Sequence, residues 1–181
     1  MSRSPQPSRL NLTALAQTGQ ALAGRTPLAD LPRLAADVPA DAPPAPAVNW
    51  QAQAEFRVPA GGAEQLWLRL QARACVPLSC QRCLAPVALD LDVDRWFRFV
   101  DTEAQAQAQD DEVEEDLLVL EPQFDLLSLL EDELLMSLPL VPMHEACPHP
   151  PVLQAPEEAA PSQASKPHPF AALASLKKKG G

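Results

Sequence analysis

Residues 66–99 read LWLRLQARACVPLSCQRCLAPVALDLDVDRWFRF, and two alternations inside that stretch decide the fold. Leu66, Leu68, Leu70, Ala72, Ala74 and Val76 fall on one side of an extended chain, with Trp67, Arg69, Gln71 and Arg73 on the other. After Cys80-Gln81-Arg82-Cys83 the alternation resumes. Val87, Leu89, Leu91, Val93, Phe97 and Phe99 point inward, and Asp90, Asp92, Asp94, Trp96 and Arg98 outward. A period of two with one apolar side marks a strand that buries one face. Arg95 interrupts the inward series and predicts a bulge or the margin of the sheet. If Cys80 and Cys83 close the hairpin opposite each other, Arg73 faces Asp90, Arg69 faces Asp94 and Trp67 faces Trp96. Matched pairs of that kind contribute about 0.2–1 kcal/mol each.

Upstream, Trp50, Ala52, Ala54, Phe56 and Val58 alternate with Gln51, Gln53, Glu55 and Arg57, giving a further strand that turns at Gly61-Gly62. Downstream, EAQAQAQDDEVEED at 103–116 reads as a solvated, mobile acidic loop. LLVLE from Leu117 suggests a short strand. Asp125 then caps LLSLLEDELLMSL, a helix stopped by Pro139. Leu126, Leu127, Leu129, Leu130, Leu134, Met136 and Leu138 cover most of that helix and make it a core element, with Glu131, Asp132 and Glu133 as its solvated side. Before the sheet, residues 10–23 carry leucines at loosely helical spacing. Thr26-Pro27 predicts the cap and first position of a second short helix reaching about Ala36. The expected architecture is α+β: an antiparallel β-meander of three to five strands, a packed C-terminal core helix, short N-terminal helices and a flexible proline-rich tail. The expected organisation is a helical segment and proline-rich linker at 1–47, a sheet-plus-helix core at 48–147 and a tail at 148–181 that ends in a short basic helix.

The chain of 181 residues suits one domain with tails, and its 21 prolines mark long stretches outside helix and sheet. No apolar run approaches the roughly 18 residues of a membrane span, and MSRSPQPSRL has no apolar signal core, so a soluble, cytoplasmic protein is expected. The net charge of −10 is unevenly laid out. All ten arginines lie in 1–98, fourteen acids and no Lys or Arg lie in 99–147, and four lysines lie in 148–181. Nucleic acid is therefore not bound through the overall field, and any RNA contact has to be local.

Four cysteines without an export signal read as thiols or metal ligands before disulfides. Cys80 and Cys83 form a C-x-x-C at a strand–turn–strand, whereas a thioredoxin-type site begins a helix. His144, Cys147 and His149 form a second cluster. Zinc takes four N or S ligands, often two from each of two short motifs. Cys80, Cys83, His144 and Cys147 would supply them, with His149 a competing fourth ligand and Cys75 turned to the other face. Unligated thiols and a redox pair are the alternatives. Arg57, Arg69, Arg73, Arg98, Trp67 and Trp96 share the polar face of the sheet. They read either as an RNA platform of stacking rings and guanidiniums or as cross-strand pairs that neutralise the arginines. Phe170, Leu173 and Leu176 share one helical face, followed by Lys177, Lys178 and Lys179. That pattern suits docking on a partner or on the body of the chain, with the lysines free for phosphate.

VPLSCQRCLAPV at 76–87, FDLLSLLEDELLMSLPLVPMHEAC at 124–147 and KPHPFAALASLKKK at 166–179 together resemble the YceD family of large ribosomal RNA subunit accumulation proteins. Cys80, Arg82, Cys83, Pro86, the 125–138 helix, Pro139, Pro142, His144 and Cys147 carry the resemblance. Leu84 stands where some relatives have glycine. The resemblance implies a non-enzymatic ribosome biogenesis factor supporting the synthesis, processing or stability of 23S rRNA. Its partner would be precursor large-subunit rRNA or a large-subunit ribosomal protein, with no membrane and no small-molecule substrate. A protein adaptor without RNA contact and a C-x-x-C thiol redox protein are the competing readings.

Overall fold

The two alternating stretches form the long strands β3 (Gln65–Ser79) and β4 (Pro86–Val100), an antiparallel hairpin in unbroken register from Leu66↔Phe99 to Ser79↔Pro86. The computed structural model to which they belong describes residues 6–59 and 61–148. The buried faces are those the period of two predicts: Leu66, Leu68, Leu70, Val76, Leu91, Val93 and Phe97 are all in the core. The pairing differs from the expected one by two positions. Arg73 faces Asp92, Gln71 faces Asp94, Arg69 faces Trp96 and Trp67 faces Arg98. The turn is the cause. Its closing residues are Cys80 and Ala85, not Cys80 and Cys83: Cys80 N donates to Ala85 O at 3.0 Å, and Leu84 N to Cys80 O at 2.8 Å. A slip of two leaves every side chain on its face, whereas a slip of one would have inverted the sheet. There is no bulge at Arg95, which faces Leu70 within the continuous ladder and forms an ion pair with Asp116.

The sheet has five strands in the order β1-β2-β3-β4-β5, with β1 at Leu22–Thr26, β2 at Val48–Arg57 and β5 at Asp116–Val119. β5 runs parallel to β4, pairing Phe97 with Asp116 through Val100 with Val119, so the expected antiparallel meander spans β1 to β4 and one parallel edge strand makes the sheet mixed. A parallel return needs a crossover, because a tight turn can only reverse the chain. Residues 103–116, expected to be a loop, provide it as helix (Glu103–Gln109), 3-10 turn (Asp110–Glu112) and the start of β5. Thr102 caps the helix by accepting from Gln105 N, and alanine and glutamine are residues that lose little in helical form. Its side chains stay out of the core.

At the N-terminus, a helix α1 (Leu12–Thr18) is capped by Asn11 and ended by Gly19 at φ 63°. Leu22 and Ala23, expected to prolong that helix, belong to β1. Thr26 closes β1, where its Oγ1 accepts a 2.8 Å bond from the buried Trp50 Nε1, and it caps no helix. The short helix α2 follows at Pro32–Ala36. Gly24 lies under the Trp50 ring, where a Cβ would stand 2.4 Å from Cζ2. Gly24→Ala is expected to destabilise by about 1–3 kcal/mol through overpacking, read as a lower urea midpoint with unchanged slope.

With the crossover helix numbered α3, the core helix is α4 (Leu126–Met136). Asp125 caps it through bonds from Leu127 N (3.0 Å) and Ser128 N (3.1 Å). Leu126, Leu129, Leu130 and Leu134 are buried, whereas Met136, expected in the core, is 72% exposed. The acids of α4 correct the sequence reading more sharply. Glu131 and Glu133 are buried, not solvated. Glu131 accepts from Arg33 N (2.7 Å), Leu34 N (3.0 Å) and Arg33 Nε (2.9 Å), so its carboxylate caps α2 across 97 residues of chain. A bridge between Leu10 and Phe124 ties the same two regions by their backbones.

Candidate metal centre

The β3–β4 turn is a four-residue loop whose last member, Leu84, takes φ 62°. That conformation belongs to a turn closed by the Leu84–Cys80 hydrogen bond, within which the Cys80 and Cys83 sulfurs lie within 4.8 Å of each other. Left-handed backbone costs an L-residue roughly 1–2 kcal/mol, and glycine, which avoids that cost, loses about 0.5–1 kcal/mol more entropy on folding. Leu84 is 76% exposed, so its side chain contributes little burial. Leu84→Gly is therefore expected to leave stability unchanged or raise it by up to about 1 kcal/mol, read by thermal denaturation.

Beyond α4 the chain returns to this turn. Gln81 N donates to Pro142 O at 2.8 Å, and the Arg82 guanidinium reaches Met143 Sδ. Cys80, Cys83, His144 and Cys147 meet there, with one donor atom from each and all four within 4.8 Å of one another. Cys80 Sγ is 3.9 Å from Cys147 Sγ, and Cys83 Sγ is 3.5 Å from His144 Nδ1. A tetrahedral zinc with Zn–S near 2.3 Å has ligand–ligand edges of about 3.8 Å, so both distances match edges of such a tetrahedron. His144 Nε2 is 3.1 Å from Pro86 O. As donor to that carbonyl it leaves the Nδ1 lone pair facing the sulfurs, the usual way a ligating imidazole is oriented.

Burial pushes the Cys80 thiol up, but the backbone N–H groups of His144, Cys83 and Arg82 and the His144 ring outweigh it and bring it down to about 5. Cys147 is pushed up to about 11 by burial and by its neighbours Cys83 and Cys80. Three sulfurs this close cannot all be anionic unaided, and a divalent cation is the partner that lets them be. Three thiolates and an imidazole form a closed four-ligand set, which suits a structural ion and leaves no position for a reacting water. Cys75 lies apart, opposite Asp90 on the polar face, its thiol pushed up by burial and by Asp90. The proposed competitor His149 lies outside the described residues.

The polar face carries the other candidates. Trp67 and Trp96 meet edge to face at 6.5 Å. The Arg57 guanidinium stacks 4.5 Å from the first ring and 3.8 Å from the second, while pairing with Glu55. Arg69 makes two parallel bonds to Asp94 (2.8 and 2.7 Å), and Arg73 bonds Asp92 at 3.1 Å. Arg98 is only 5% exposed and is held by Glu115 (2.9 Å) and Gln109 (3.0 Å). All four arginines thus meet a carboxylate, and Arg98 is closed off beneath the crossover. Phe170, Leu173, Leu176, Lys177, Lys178 and Lys179 lie outside the described residues. The orienting carbonyls of Pro86 and Pro142 went unread in the side-chain pattern. Only the resemblance marked those two prolines, which keep a carbonyl acceptor while fixing the chain.

A mixed α+β sheet with a Cys3His cluster at a hairpin tip defines a small protein whose hairpin can be clamped by a metal ion. The family model described as large ribosomal RNA subunit accumulation protein YceD matches residues 68–177, and the chain belongs to that family. It is similar to the large ribosomal RNA subunit accumulation protein YceD of Haemophilus influenzae, with 40% identity over 112 residues. That alignment covers 58% of this chain and 61% of the relative, so the chain spans about three fifths of the relative's length. No solved structure matches. No helix among the described residues is long and apolar enough to cross a membrane.

Proposed function

We propose that the chain is a non-enzymatic factor that supports large-subunit rRNA accumulation in the cytoplasm by binding a basic large-subunit ribosomal protein. One zinc, held by Cys80, Cys83, His144 and Cys147, fixes the hairpin tip. The observation that carries the partner's chemistry is the pairing of charge. Arg57, Arg69, Arg73 and Arg98 each meet a carboxylate, while Glu103, Asp110, Asp111, Glu112 and Glu114 form no ion pair among the described residues. The charge left for a partner at the crossover is negative, which steers a cationic protein and repels phosphate there. Direct RNA contact would then fall to Lys177, Lys178 and Lys179.

The test is a binding series against purified large-subunit ribosomal proteins and 23S rRNA fragments at rising salt, run beside a variant with Asp110, Asp111, Glu112 and Glu114 changed to their amides. Salt-sensitive binding to at least one ribosomal protein, weakened in the variant, is expected. Binding to rRNA alone, equal in both chains, would overturn the reading in favour of an RNA-binding factor.

A further inference from the structure

We propose that Cys80 and Cys147 exchange the metal for a disulfide when hydrogen peroxide reaches the site, so that the clamp outlasts the ion. The inference rests on the zinc reading above and gives that site its regulation. The four donors divide into two pairs, each with one atom from the hairpin tip and one from the 144–147 segment. One pair is sulfur with sulfur, Cys80 and Cys147 at 3.9 Å across 67 positions of chain. The other is sulfur with imidazole, Cys83 and His144. An S–S bond is about 2.05 Å, so closing the first pair needs an approach of about 2 Å. Among the described residues, the segment after α4 has no helix or strand to resist it. Cys80 and Cys83, by contrast, share a turn fixed by the Cys80–Ala85 and Leu84–Cys80 hydrogen bonds.

Exposure sets the order of events. Of the two paired sulfurs, Cys80 is fully buried and Cys147 half-buried, so within that pair the peroxide meets Cys147. The Cys147 thiolate attacks one peroxide oxygen and the O–O bond breaks. Cys147 becomes a sulfenic acid, and hydroxide leaves to be protonated to water. The Cys80 thiolate then attacks the Cys147 sulfur. The S–S bond forms, the S–O bond breaks, and a second hydroxide leaves and is protonated. Two electrons have passed from two sulfurs to the peroxide. Cys83 and His144 remain as donors, too few for the closed set that zinc requires. The hairpin tip and the 144–147 segment stay joined, now covalently, and a thiol reductant reverses the change. The oxidised state also frees the half-buried Cys83 thiol beside the His144 ring.

The experiment starts from the full chain with its zinc content measured. Hydrogen peroxide is added, metal release is followed with a chromogenic chelator, and disulfides are mapped by mass spectrometry after alkylation. A Cys75→Ser chain, lacking the thiol outside the cluster, is run in parallel. The expected result is about one zinc released per disulfide, Cys80–Cys147 as the main linkage in both chains, and recovery of zinc binding after dithiothreitol. The oxidised chain should melt close to the zinc form, whereas chelation without peroxide should lower the transition. Zinc retained after oxidation, a main linkage through Cys83, or sulfinic acids in place of a disulfide would each overturn the exchange while leaving the zinc site standing. A chain with no zinc before peroxide would overturn the zinc reading itself, and the exchange with it.

Discussion

Replacing Cys83 with serine is expected to take zinc from one per chain to almost none, measured by elemental analysis on protein purified without chelators. Serine keeps the shape of the side chain but removes the thiolate, the atom that matches zinc. Affinity should fall by more than about 100-fold, since changes to groups that only orient ligands already cost about 10–100-fold. The sheet should survive, because its core of Leu68, Leu70, Val76 and Phe97 does not include the cluster. What should change is the segment after Pro139, whose ties to the tip among the described residues are the Gln81–Pro142 bond, the Arg82–Met143 contact, the His144–Pro86 bond and the cluster itself. Amide exchange at Gln81 should therefore rise in the variant while exchange along β3 stays slow. Zinc retained at one per chain would exclude Cys83 from the site.

Glu131→Ala, on α4, is expected to be strongly destabilising because it unties α2 from the core helix. It removes the acceptor for Arg33 N and the buried Leu34 N, and the partner of the Arg33 side chain. Stranding those donors should cost about 2–4 kcal/mol, read from urea unfolding. A pH series separates this from mere loss of packing. Burial pushes the Glu131 carboxyl up, but the Leu34 N–H, the Arg33 side chain and the Arg33 N–H outweigh it and hold it below its ordinary 4.5. A depressed carboxylate contributes stability that is fully present above the ordinary value and is lost as pH falls through the lower, folded one. Wild type should therefore lose stability below about pH 4.5 more steeply than Glu131→Gln, the two curves converging in acid. Parallel curves would show that the carboxylate's charge plays no part.

These two sites were not equally legible. Cysteine and histidine announce metal chemistry by type, so the four donors could be gathered from two distant motifs before any geometry was known. Glu131 announces nothing, because an acid in a leucine-rich helix is usually its wet side, and only tertiary packing turns it inward to cap another helix. The strand faces were readable because side chains alternate whatever the partner does. The register was not, since it depends on a positive φ at Leu84 that a leucine does not signal. β1 was hidden by its brevity and by Gly24, which serves the Trp50 ring more than any strand propensity. The crossover helix was hidden by a composition that resembles a disordered tract until β5 needs a parallel return.

The contacts of Glu131 with α2 and of Leu10 with Phe124 also fix an order of events during synthesis. β3 and β4 are joined by a few residues and can zip as soon as both have emerged, whereas the cap on α2 waits for a residue 97 positions later. At roughly 5–20 residues per second that wait lasts about 5–20 s. Through that interval Leu34 and its neighbours lack their final cover, so the N-terminal segment is the part of the nascent chain most open to proteases and chaperones.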